Sequence, residues 1–492
     1  MRFVERKSGL QPPADVPRAG LGPLVRGWTR YVLASAALLL PCFWQARIQA
    51  GDLGSHIYNA WLAELIRQGR APGLSIVPQT TNVLFDLLLS ALYRGVGSAA
   101  AQRIAVSLAV LVFVWGAFAF IATTARRAWA LVPALAVLAY GWVFHMGFFN
   151  FYLSLGLCFW ALALAWNHAP RRLLAAAPIL AVAYAAHALP VAWACAVLGF
   201  LWLARRMSAG RLMVTAVMAL CVVHIAMTQT MPTAWGFWQI ECASGADQAW
   251  VYDRKYLAVA VVLLLEYVAL VTESIRRNGA RRWFGSETFQ VLAVTAGGIF
   301  LLPTTVWIPG YQRALLFIAE RMSLTAGVLV LAAVATGSSR RWHGWATGLL
   351  AAVFFLFLYG DERALNGFED RMNEAVARLP PMARVVSNAQ ADLRANALSH
   401  IVDRACIGRC YSYANYEPPS GQFRIRVTGP TSIVEPTGPL ALHMERGDSA
   451  VLDRDLPLYR ISVAADGSLA VDSMAAGAQV GASQWRGLSW FP

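Results

Sequence analysis

The chain has 492 residues, of which 58% are hydrophobic and 14% charged. A soluble globular chain carries nearer a quarter charged residues, so this composition excludes an ordinary water-soluble enzyme. The net charge of +14 is uneven: from Asp361 onward there are 13 Arg and no Lys against 15 acids, and the excess lies in short clusters before that point. The clusters are Arg126-Arg127, Arg171-Arg172, Arg205-Arg206, Arg276-Arg277, Arg281-Arg282 and Arg340-Arg341. Such loops stay cytoplasmic, so the basic charge reflects topology and lipid headgroups. No basic stripe with interleaved aromatics points to nucleic acid.

Residues 1–30 are polar and rich in Arg and Pro, and read as a cytoplasmic arm rather than a cleavable signal. A first span is expected at Tyr31 to Ile48. The next segment, GDLGSHIYNAWLAELIRQG, predicts an interfacial helix over 52–69. At 100° per residue Asp52, His56, Asn59, Ala63 and Arg67 share one sector, while Leu53, Ile57, Trp61 and Leu65 lie opposite. That pattern suits a helix lying in the membrane interface.

The stretch 76–97 is apolar but short and holds Asp86 and Arg94, so it either spans marginally or re-enters. Further spans are expected near 104–125, 128–146, 147–166, 211–230, 255–275, 286–305, 313–336 and 343–360. The region 173–204 carries His187 and Pro190 at its centre and is either one broken helix or two short ones. Both readings give about eleven crossings and put the loop 231–254 and the tail outside. Beyond Asp361 a charge-rich helix ends at Pro380-Pro381. Short alternating runs such as QFRIRV and LYRISV then predict a small mixed domain. The expected architecture is an all-α polytopic membrane bundle over 31–360, preceded by the arm 1–30 and followed by a small extracytoplasmic α+β C-terminal domain over 361–492.

Cys42, Cys158, Cys195 and Cys221 lie in apolar spans as small hydrophobes. Cys406 and Cys410 lack the neighbours a zinc site needs, and in an oxidising compartment they can form a disulfide.

Asp52 has two readings. It can cap its helix and complement the positive dipole end. It can instead be a free carboxylate followed one turn later by His56 and another turn later by Asn59. With many spans and an external tail, this pattern resembles the GT-C superfamily of membrane glycosyltransferases. The matching stretch is Asp52 to Gly69, Asp-x-x-x-His-x-Tyr-x-Ala with a closing Arg-Gln-Gly. It departs from the better-known branches in having Val77-Pro78-Gln79-Thr80 where those carry Pro-Pro-Leu.

The resemblance implies a donor sugar on a polyprenyl phosphate and a glycan, lipid or protein acceptor, with no resident cofactor; it leaves a divalent metal open. It makes Asp52 the candidate base and His56 its companion. Arg103 and Arg313 are the candidate phosphate cations, and Asn59, His145, Asn150 and His187 the further substrate contacts. Each has a plain alternative: His145 and Asn150 in a helix turn, His187 hydrogen-bonded within the bundle. A transporter and a non-catalytic scaffold are the competing classes. Paired broken helices would favour the first, and Asp52 acting only as a cap the second.

Overall fold

The computed structural model describes residues 27–124, 128–167, 169–335, 341–387, 389–464, 467–481 and 483–485. Most of the N-terminal arm and the pair Arg126-Arg127 lie outside the described residues, as does Arg340. The chain divides into two units, residues 1–40 and residues 41–492.

The described part of the first unit is helix α1 (Trp28–Leu39). The predicted span to Ile48 is therefore cut short. Pro41 stands just beyond the helix and brings no amide hydrogen to extend its ladder. Residues Leu40–Cys42 make a 3-10 turn instead.

In the second unit the helices are α2 (Leu53–Arg67), α3 (Leu84–Thr124), α4 (Val132–Ala139), α5 (Trp142–Met146), α6 (Phe149–Ala165), α7 (Pro170–Ala186), α8 (Ala188–Ala204), α9 (Ala209–Thr230), α10 (Arg254–Asn278), α11 (Ala280–Phe284), α12 (Glu287–Leu301), α13 (Ile318–Ala335), α14 (Arg341–Ala377), α15 (Ile401–Cys406), α16 (Glu417–Ser420) and α17 (Gly438–Arg446). Among the described residues, six helical stretches are long and apolar enough to cross a bilayer; three shorter apolar helices, α6, α8 and α12, accompany them. This is a helical membrane protein. α9 has only Leu212 buried, as expected where lipid rather than protein covers a helix.

Two interruptions fall in the stretches the sequence left open, and a third falls inside the span expected at 128–146. Gly97 (φ 77°, ψ 175°) breaks α3, and only glycine tolerates that backbone. The piece 84–96 spans about 20 Å, too short for the ~30 Å hydrocarbon core. His187, in an extended conformation, separates α7 from α8, so 173–204 is two helices. Tyr140 and Gly141 separate α4 from α5.

α14 runs without a break through the expected boundary at 360/361. At 1.5 Å per residue it is about 55 Å long, so one end stands clear of a bilayer. The strands follow the same trend of joining tail to bundle. β1 (Leu74–Ile76), in the connector after α2, pairs antiparallel with β7 (Ile425–Val427). Connectors 231–254 and 302–317 are tied by β2 (Thr233–Ala234) and β3 (Thr305–Val306). The tail proper holds β4 (Ala383–Ser387), β5 (Ala389–Ala391), β6 (Cys410–Ser412), β8 (Leu458–Val463), β9 (Leu469–Ser473) and β10 (Ser483–Trp485). Its main sheet has the order β6-β4-β8-β9, with β4 parallel to both neighbours and β8–β9 antiparallel. Val386, Tyr413, Met444, Val451, Leu458 and Val480 fill its core. Cys406 and Cys410 are disulfide-bonded.

Candidate functional site

The site is built on the start of α2. This helix does not lie on an open interface as its amphipathic pattern suggests. Leu53, Ile57, Tyr58, Asn59, Trp61 and Leu62 are all buried, and the tail reaches the helix at Ser55, Tyr58 and Asn59. The Tyr58 hydroxyl accepts from the Ser412 amide at 3.0 Å. Asn59 accepts from Asn415 at 2.9 Å and donates to Ser55 at 3.1 Å. Ser55 in turn donates to Glu417 at 3.0 Å. Asn59 is thus a tie between helix and tail.

Asp52 occupies the N-cap position, but its side chain makes no capping bond. Its backbone is helical (φ −73°, ψ −9°), whereas a capping side chain is aimed back at its own helix from an extended backbone. The carboxylate is left 31% exposed, with the His400 Nε2 3.8 Å from its Oδ1. Its amide donates to the Met146 carbonyl at 3.0 Å, and its carbonyl accepts from the His56 amide at 2.9 Å.

Two histidines flank it. His56 Nδ1 lies 2.7 Å from Asp86 Oδ1. Asn150 donates to the other Asp86 oxygen at 2.8 Å and accepts from the Phe85 amide at 2.8 Å. His400, arriving with the tail, pairs its Nδ1 with Asp403 at 2.8 Å. Burial opposes charge on His56, but the Asp86 carboxylate, with Glu417 and Asp52 adding, pushes it up to about 9. Burial likewise opposes charge on His400; the bond and charge of Asp403, helped by Asp52 and Glu445, push it up to about 9. Both are imidazolium at neutral pH. Burial, reinforced by Asp86, pushes Glu417 up to about 7 despite His56.

A third cation, Arg321, starts the wall formed by α13. Its guanidinium lies 3.7 Å over the Phe148 ring. Its Nε is buried without a hydrogen-bond partner among the described residues. Asp52 and Glu320 act on it through charge. Phe317, just before α13, has φ 60°, a left-handed conformation that is strained for a bulky side chain. Its ring packs against Trp142 and Phe148 at 5.5 and 6.1 Å.

The other expected residues divide. Arg313 lies 3.5 Å over the Tyr416 ring and pairs with Glu445. Tyr416 feels the charges of Asp52 and Glu417 and stacks 5.7 Å from His400, so Arg313 stands at the rim. Arg103 is turned elsewhere, donating to the carbonyls of Gln45 and Ala46 at 3.2 and 2.9 Å. His145 is fully buried, its Nδ1 shared between the Gln49 carbonyl at 3.0 Å and the Tyr252 hydroxyl at 2.8 Å. His187 accepts from the Leu189 amide at 3.2 Å, capping α8, and its carbonyl accepts from Ser154. These last three hold structure where they lie.

Sequence reasoning did not assign Asp86, Arg321, His400, Asp403, Tyr416 or Glu417. Asp86 and Arg321 carried a signal as charges inside or at the edge of apolar runs, and the spacing His400-x-x-Asp403 is a further local one. Among the described residues no three His, Cys, Asp or Glu side chains are grouped to hold a metal ion. No family model, curated protein or solved structure matches the chain.

The arrangement offers a carboxylate free of its helix, with cations on three sides supplied by α2, α13 and the tail. That set can accept a proton from a hydroxyl at Asp52 while the cations neutralise an anionic leaving group.

Proposed function

We propose that the protein is a GT-C-type glycosyltransferase, with about eleven crossings of a bacterial-type inner membrane and an extracytoplasmic tail. It moves a sugar from a polyprenyl-phosphate donor to an acceptor hydroxyl on a glycan, lipid or protein at the external face. The observation that carries the reading is Asp52: a part-exposed carboxylate at the head of a buried helix, released from capping and ringed by His56, His400 and Arg321.

In the step, the acceptor oxygen forms a bond to the anomeric carbon. The bond from that carbon to the phosphate oxygen breaks, its electron pair leaving with the phosphate. The acceptor proton passes to Asp52. Arg321 suits the phosphate because a guanidinium presents parallel donors to two oxygens, and its buried Nε has no hydrogen-bond partner among the described residues.

Transport uses broken helices whose freed carbonyls bind ions. Here side chains already fill two of the breaks. His187 and Ser154 close the one between α7 and α8. At the one before α5, Gln248 accepts from the freed Val143 amide. That favours the enzyme.

The test is Asp52→Asn in a deletion strain, read by the sugar composition of envelope glycans. Loss of the protein-dependent sugar, with folding intact, is expected. Full complementation by the Asn variant sinks the reading.

A further inference from the structure

We propose that His400, held by Asp403, is a positioning residue for Asp52, so that the C-terminal segment completes the reacting site. The inference rests on the sugar-transfer reading.

The helix start is shaped for this contact. Gly51 and Gly54 bracket Asp52, and a Cβ on Gly54 would lie 2.1 Å from the His400 carbonyl oxygen. One on Gly51 would lie 2.6 Å from the Asn396 carbonyl oxygen. Real Cβ atoms do not approach backbone so closely, so only glycine lets the 396–400 strand of chain lie against this turn.

The imidazole is itself fixed. Asp403 takes Nδ1 through Oδ2, and its Oδ1 accepts from the Ser412 hydroxyl. The Ser412 amide is anchored on Tyr58 of α2. Nε2 is thereby left aimed at Asp52 Oδ1, at 3.8 Å. That is longer than a hydrogen bond, so it orients and neutralises the carboxylate without occupying the second oxygen, which stays available to a hydroxyl. The groups facing His400 are Asp52 from α2, Asp403 on its own helix, Tyr416 and Glu417 from the α16 segment and Glu445 from α17. Carboxylates dominate, and the imidazolium persists until alkaline pH.

The experiment uses right-side-out membrane vesicles from cells making the full chain. Growth on uniformly labelled glucose labels the lipid-linked donor pool whatever its sugar. Transfer of label out of the lipid-extractable fraction is followed from pH 6 to 10 for wild type, Asp52→Asn, Asp403→Asn and His400→Gln. Wild-type rate is expected to decline above about pH 9. Asp403→Asn removes the partner that raises His400, so the decline moves to lower pH. His56 titrates in the same range, but its partner Asp86 is untouched, so that shift belongs to His400. His400→Gln lowers the neutral-pH rate about 100-fold, the scale of a misplaced reacting group.

Thermal unfolding of each variant checks the fold. If Asp403→Asn does not fold, Ser412→Ala, which removes one bond to Asp403, is expected to give a smaller shift in the same direction. Asp403→Asn or its substitute with an unmoved alkaline limb overturns the role of His400 while sugar transfer stands. An Asp52→Asn variant as active as wild type overturns both.

Discussion

At the scale of single residues the site turns on where charge is buried. Glu417 is nine-tenths or more enclosed and titrates near 7 in the fold, against an ordinary value near 4.3 for glutamate. A raised acid pKa means the folded state holds the proton more tightly. Its contribution to stability is therefore present at low pH and lost as pH rises through about 7. Glu417→Gln keeps the acceptor for Ser55 but cannot ionise. Its melting temperature is expected to change less than wild type between pH 5 and 7.5, read by thermal unfolding in detergent. Arg321→Gln removes the cation whose Nε has no hydrogen-bond partner among the described residues. Transfer is expected to fall at least tenfold, and thermal stability to fall with it, because Asp52 and Glu320 lose a cation whose charge they share.

The cap position shows what the sequence could and could not display. The pattern D-x-x-x-H at a helix start was legible, and both of its readings were open. What separates them is the backbone of Asp52, helical rather than extended, and no composition or spacing reports that angle. His400 was out of reach for a different reason. It meets Asp52 only because two glycines admit the tail's backbone, and one sequence carries no record of which distant segments touch.

At the scale of elements, periodicity found most of the apolar helices and marked the stretches ending at Gly97 and centred on His187 as irregular, without deciding what happens there. The breaks at Gly97 and His187 depend on one residue's backbone inside an otherwise helical run. The polar sector of α2 was correctly placed, but its surroundings were mistaken. Polar side chains suit water and suit a polar partner equally well, and here Asn59 meets Asn415 and His56 meets Asp86. The contact between α2 and the tail is tightest at Gly54. Gly54→Ala is expected to destabilise by about 1–3 kcal/mol, since backbone rather than a movable side chain meets the new methyl. Thermal unfolding measures that loss, and the label-transfer assay should show activity falling with it.

At the scale of the whole molecule, the tail and the bundle form one unit from residue 41 onward. The expected junction at 360/361 was placed where apolar sequence ends. α14 continues because its later turns still bury Leu365, Phe368 and Met372 against protein. The Cys406–Cys410 disulfide fits an oxidising compartment and so the proposed external side. A cysteine at Asp448, whose side chain is 54% exposed, tests the side directly. In spheroplasts Asp448→Cys is expected to react with a membrane-impermeant maleimide. Reaction only after lysis would place the tail in the cytoplasm.

The pairing of β1 with β7 has a consequence for how the protein is made. Residues 74–76 leave the ribosome well before their partner strand at 425–427. The connector that follows the Asp52 helix must wait, unzipped, until the tail that carries residues 425–427 has been made. A product terminated before residue 400 would hold Asp52 without the imidazole that stands 3.8 Å from it, and on the proposed reading it would be inactive.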